Sequence, residues 1–179
     1  PRLGVPVFIK ALPKIVASNP DVRIMIIGSG HPSTHESLEH ECRNMVQDLG
    51  LQKNVKFIDF MPNHEMAKYL AASDVYVTTS YSDGSSVALM EAISCGLPLV
   101  VTEVPAFKEW VNNGVNGFMV PFDDSAKVSQ CVNQILDNIR LSKKMREANI
   151  ALAEKKADWN KNYEILESIY DSLLLTSSD

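Results

Sequence analysis

Apolar and polar positions change period repeatedly along the chain, and each change predicts an element. Val7, Phe8, Ala11, Leu12 and Ile15 recur at the spacing of one helix face, with Pro6 in the first turn and Asn19-Pro20 to end it. Val22 to Ile27 is an unbroken apolar run of strand length leading into Gly28-Ser29-Gly30. A second helical pattern runs from about Thr34 to Leu49 and closes at Gly50. Val55 to Ile58 reads as a strand followed by a turn at Phe60-Met61-Pro62, Asn63 caps a short helix from His64 to Ala72, and Val75 to Thr78 is another strand. Leu99 to Val101 and Phe118 to Val120 are further strands, with a helix over Ala106 to Val111 and turns at Asn113-Gly114 and Asn116-Gly117 between them. From Ser125 the pattern is helical, over about 125–137, 140–155 and 160–174, and 175–179 reads as a disordered tail. Strands alternating with helices predict an α/β fold: a doubly wound, mostly parallel, Rossmann-like sheet covered on both faces.

The stretch from Ser80 to Thr102 holds the candidate chemistry. Ser85 and Ser86 can cap a helix, Gly96 stands where a left-handed residue ends one, and Pro98 prevents its continuation. Glu91 is the anomaly, because Val87, Ala88, Leu89, Met90, Ala92 and Ile93 surround it with apolar side chains. Burying an ionised carboxylate without partners costs several kcal/mol, so a polar group is expected to meet it. Gly84 permits close backbone approach, and the amides of Ser85, Ser86 and Val87 open a helix N-terminus, a setting that suits phosphate. Asp83 lies on the same loop. A phosphate cradle flanked by two carboxylates able to hold hydroxyl groups describes a site for a nucleotide sugar.

Ser80-Tyr81-Ser82-Asp83-Gly84, followed by Glu91-Ala92-Ile93-Ser94-Cys95-Gly96-Leu97-Pro98-Leu99, resembles the signature of retaining glycosyltransferases with the GT-B fold, group 1 (family 4). The resemblance extends from Gly4 to about Leu174 and includes Asn116-Gly117-Phe118-Met119-Val120-Pro121. One departure is chemical: Asp83 stands where the family's paired glutamates begin, one methylene shorter.

The resemblance implies that residues 1–174 form a nucleotide-sugar donor-binding domain, the C-terminal half of a two-domain enzyme. Asp83 and Glu91 would be its catalytic carboxylates, Glu91 accepting hydrogen bonds from the ribose and Asp83 facing the donor sugar. Backbone at Gly84, Ser85, Ser86 and Val87 would hold the distal phosphate and stabilise the leaving diphosphate. Gly28 and Gly30 would border the donor cleft, and the strand edge at Phe60-Met61 would lie against the base. The expected reaction moves a sugar from a GDP-, UDP- or ADP-sugar to a glycan or glycolipid acceptor, with retention and without a metal or other cofactor. The acceptor would be bound by an N-terminal domain outside these residues, and the present ones should not catalyse alone. Leu3-Gly4 stands where the family carries Lys-Gly, and the companion arginine belongs to a strand before residue 1; Arg2 is the nearest guanidinium. In the doubly wound order 3-2-1-4-5-6 the first strand is central. The first strand visible here follows a complete helix, so it should be the second, and a gap or a collapse is expected between Val22–Ile27 and Val75–Thr78.

Composition narrows the alternatives. A chain of 179 residues, 45% hydrophobic and 22% charged, suffices for one α/β domain, and a net charge of −5 argues against a nucleic-acid surface. Cys42, Cys95 and Cys131 are scattered and fit a reducing compartment. With no transmembrane run or lipidation motif in these residues, the expectation is a cytoplasmic protein, with any contact at the inner face of a membrane made by the missing part. Such an enzyme would serve cell-surface polysaccharide biosynthesis. Gly28-Ser29-Gly30 lacks the third glycine of a dinucleotide fingerprint, since Ser33 stands there. His31, His35 and His40 read as solvated, and Trp110 and Trp159 as packing residues. Two rival readings are a GT-B-like nucleotide-sugar epimerase and a non-catalytic nucleotide-sugar binding module.

Overall fold

The computed structural model describes residues 4–29, 36–84 and 86–176. The chain runs α1 (Val5–Ser18), β1 (Ile24–Ser29), α2 (Glu36–Asp48), β2 (Val55–Asp59), α3 (Asn63–Ala71), β3 (Tyr76–Thr78), α4 (Val87–Ser94) and β4 (Leu99–Thr102). A short 3-10 helix (Pro105–Glu109), β5 (Gly117–Val120), α5 (Ser125–Leu136), α6 (Ile139–Lys156) and α7 (Trp159–Thr176) follow. The predicted elements are present with shifted ends. Val22 and Val75 precede their strands, and the helix expected over Ala106 to Val111 is the 3-10 turn that starts at Pro105. Of the expected tail, Leu175 and Thr176 belong to α7, and 177–179 lie outside the described residues.

The strands interleave two layers of helices. On β4, Leu99 and Val101 pack with Leu89, Ile93 and Phe107, whereas Val100 between them packs with α1 and α5. β3 and β5 alternate likewise: Val77, Phe118 and Val120 face the α1–α5 side, and Tyr76 and Met119 the α4 side. This is the period-two rule of a strand buried on both faces. Each fully buried Leu, Val or Ile contributes about 1.5–3 kcal/mol of transfer free energy.

Pairing is parallel throughout but divided. β1 pairs with β2, β3 with β4 and β4 with β5, and among the described residues β1 and β3 do not pair. A cavity of about 830 Å3 separates them, lined by Ile24 and Ile26 on one side and by Tyr76 and Thr78 on the other. The gap expected from the doubly wound order is therefore present, without collapse. Helix α1 begins at the carboxyl end of β3, where the Thr79 hydroxyl donates to the Gly4 carbonyl at 2.8 Å. A Cβ on Gly4 would lie 1.9 Å from the Thr79 carbonyl oxygen, so only glycine fits.

A buried amide pair joins the layers at the other end. Asn149 of α6, fully buried, donates to the carbonyls of Leu97 at 2.7 Å and Asn116 at 2.9 Å. Asn116 donates in turn to Asn149 Oδ1 at 2.8 Å and to the Trp110 carbonyl at 2.9 Å. The signature residue Asn116 thus serves packing. Trp110 packs against the α4-side core as expected, but Trp159 is 79% exposed.

Two outcomes are expected. A polypeptide extended upstream by about 15 residues, a strand and its loop, should fill the gap, melt higher and aggregate less than residues 1–179. Equal melting temperatures would contradict this. Asn149→Leu should destabilise by roughly 1–3 kcal/mol for each partner left unsatisfied, read by urea unfolding; no loss would show the pair to be dispensable.

Candidate active site

Local chemistry sets the geometry of the loop between β3 and α4. Ser86 caps α4, its hydroxyl accepting from the Leu89 amide at 3.4 Å. The first intrahelical backbone bond runs from the Met90 amide to the Ser86 carbonyl at 3.1 Å, so Val87 and Ala88 open the helix before that ladder begins. At the other end Gly96, at φ 72°, donates to the Ile93 carbonyl at 2.8 Å, while Leu97 donates to the Ala92 carbonyl at 3.0 Å. These two bonds make a Schellman stop, as the Gly96-Leu97-Pro98 sequence predicts.

Glu91 departs from expectation in its burial. It is half-buried and lines the cavity beside Ala88, and Val87 on the adjoining turn is 61% exposed. The helix therefore turns one side away from the core despite its apolar sequence. Among the described residues, no protein donor reaches the Glu91 carboxylate, so the buried partner that apolar neighbours had suggested is not supplied by the protein. Asp83 is exposed and accepts from the Gly84 amide at 2.8 Å. The amide expected to face a phosphate is thus engaged by the neighbouring carboxylate.

Other predicted site residues also sit at the carboxyl ends of strands, where open α/β sheets bind ligands. Gly28 occurs at a register shift of β1, with φ 106°. Phe60, just after β2, is 62% exposed, whereas Met61 is buried. The structure thus sets Gly28 and Phe60 on the two-stranded sheet and Asp83, Gly84, Ser86, Val87 and Glu91 on the three-stranded one. Gly30 and Ser85 lie outside the described residues, as do Arg2, Leu3, His31 and His35. His40 is within hydrogen-bond distance of Asn44, at 3.2 Å. Among the described residues, no three His, Cys, Asp or Glu side chains are grouped as for a metal, and no helix is long and apolar enough to cross a membrane.

Sequence reasoning missed Tyr76, read only as a strand residue. Burial, followed by the Asp83 and Glu91 carboxylates, raises its phenol above the ordinary 10.0. Both carboxylates therefore act on one strand position. The only available signal was a tyrosine inside an apolar strand next to the signature.

The model of the family described as Glycosyl transferases group 1 matches residues 1–151. The GDP-mannose-dependent monoacylated alpha-(1-6)-phosphatidylinositol monomannoside mannosyltransferase of Corynebacterium glutamicum is 28% identical over 179 residues, covering 96% of this chain and 45% of its own length. The chain spans about half the length of the curated relatives it matches. Among solved structures, the C-terminal domain of the group 1 protein LpcC from Francisella tularensis superposes with a TM-score of 0.80 at 23% identity, covering 88% of this chain and 81% of that one. HepE of Anabaena, in complex with UDP-glucose, gives a TM-score of 0.82 at 24% identity, covering 96% and 46%. The α/β fold read from the sequence is that of these C-terminal halves.

The Tyr76 surroundings make a pH prediction. An unfolded tyrosine ionises near pH 10 while the folded one keeps its proton, so its contribution is complete below about pH 10 and is lost as pH rises through the folded value. Tyr76→Phe should flatten the alkaline fall in stability, measured by urea unfolding from about pH 9 to about 11. The thiols of Cys42, Cys95 and Cys131, also raised by burial, are common to both proteins and cancel in the difference. Identical slopes would contradict the assignment.

Proposed function

The chain belongs to the group 1 glycosyl transferases, and from that premise we propose that it is the donor-binding domain of a retaining enzyme. In this reading the enzyme moves a sugar from a nucleotide sugar to a saccharide or lipid-type acceptor held by a preceding domain. The observation that carries the reading is the Glu91 carboxylate. It is half-buried and unmet by any described protein donor, on a helix that opens with the Val87 and Ala88 amides. A water-facing carboxylate can accept from two adjacent ribose hydroxyls, and the start of α4 favours the negative diphosphate.

Asp83 would turn from the Gly84 amide to the donor sugar as ligand enters, releasing that amide toward the distal phosphate. Stabilising the diphosphate as the glycosidic bond breaks is the electrostatic contribution such a cradle makes. Phe60, exposed at the end of β2, would offer an apolar face to the base, with Gly28 leaving room beside it. Met61, buried beside it, would meet the base through the strand edge alone. A relative named for GDP-mannose and a structural neighbour holding UDP-glucose support the nucleotide-sugar class of donor. The same reading needs no metal and expects a cytoplasmic enzyme, any membrane contact being made through its other half.

Thermal-shift screening of GDP-, UDP- and ADP-sugars on the full-length protein should identify one that raises its melting temperature, since a ligand of the native state stabilises it. Glu91→Gln should then weaken that donor by roughly 1.5–3 kcal/mol in titration calorimetry while the fold survives. Asp83→Glu should change preference among sugars more than affinity for the bare nucleotide diphosphate. Unchanged donor binding by Glu91→Gln would refute the site.

A further inference from the structure

One contact that no role given to the family signature accounts for bears on the same loop from across the sheet. The Tyr81 hydroxyl donates to Asp123 Oδ1, linking the β3–α4 loop to the turn between β5 and α5. The Tyr81 and Phe122 rings stack beside this bond, with centroids 6.0 Å apart and planes inclined by 20°. Asp123 is the one non-glycine residue with positive φ among those described, at 59°. Such a conformation suits glycine, and aspartate tolerates it better than most. The aspartate brings what glycine would not, a carboxylate for Tyr81.

The turn carrying Asp123 is itself anchored on both sides. The Glu103 amide donates to the Val120 carbonyl at 3.0 Å, and Asp124 caps α5 by accepting from the Lys127 amide at 2.8 Å. Across from it, the loop is held at Ser80, whose carbonyl accepts from the buried Thr102 hydroxyl, and at Ser86 by the cap of α4. Tyr81 adds a third hold directly before the short span that contains Asp83.

Resting on the donor-site reading above, we propose that Tyr81 and Asp123 form a clasp that positions Asp83 and Gly84 for the donor. They are positioning residues: neither needs to touch the nucleotide sugar. The clasp shortens the unsupported stretch of loop, so less freedom is lost when the donor binds.

The test uses the full-length protein, with UDP-glucose, GDP-mannose and ADP-glucose as probes. Y81F keeps the ring and its stack but removes the hydroxyl, and D123G keeps the left-handed turn but removes the acceptor. Each should raise the donor Kd about three- to tenfold, the worth of one hydrogen bond. Melting temperature should stay within about 2 °C of wild type. The double variant should bind no worse than either single one, because the same bond is lost once. D123N retains an acceptor oxygen and should restore near wild-type Kd. Wild-type affinity in Y81F, or losses that simply add, would overturn the clasp and leave the donor site standing. A wild-type protein that binds none of the three probes would overturn the donor site itself, and the clasp with it.

Discussion

The site depends on two residues that follow β3. Thr79 and Ser80 are both buried, and each is held from outside its own strand. The Thr79 hydroxyl reaches the Gly4 carbonyl at the start of α1, and the Ser80 carbonyl takes the hydroxyl of Thr102 at the end of β4. Buried backbone groups must find partners, and here side chains supply them where the sheet ladder stops. The result sets where the strand ends, where the loop begins and how α4 is aimed. Gly4 is required by the same contact, since any side chain there would strike Thr79.

The division of the sheet has the opposite character. Helices bridge the two halves: α1 and its neighbours form one apolar cluster that includes Ile24 of β1 and Val100 of β4. Side-chain burial thus holds the halves in place although the backbone ladder between them is interrupted. Gly28 and Phe60 sit on one half, Asp83 and Glu91 on the other. A ligand touching both depends on how the two halves are set relative to each other, which among the described residues is fixed by helix packing and not by strand pairing.

Legibility in the sequence followed how local the cause was. Gly96 with Pro98, the Ser86 cap and the alternation of strands with helices all act within a few residues and were readable. The central gap was readable too, because strand order in a doubly wound sheet is a global rule. The neighbours of Glu91 suggested a helix without a polar face, whereas Val87 and Ala88 lie at a surface. Gly84 was assigned to phosphate because nothing in its spacing shows that Asp83 bends back onto its amide. Trp159 was assigned to packing by residue type alone, but α7 presents it to solvent. Asn149 and Asn116 meet 33 residues apart, and Tyr81 and Asp123 meet 42 apart, distances at which only the folded topology decides.

Amide hydrogen exchange on the full-length protein, with and without a stabilising nucleotide sugar, tests the assignment of the site most directly. If the β3–α4 loop and the start of α4 hold the donor, ligand should slow exchange across Thr79 to Glu91 and at the carboxyl ends of β1 and β2. Exchange in α5 and α6 should be unchanged. Protection confined to other elements, with Thr79 to Glu91 exchanging at the same rate in both states, would contradict it.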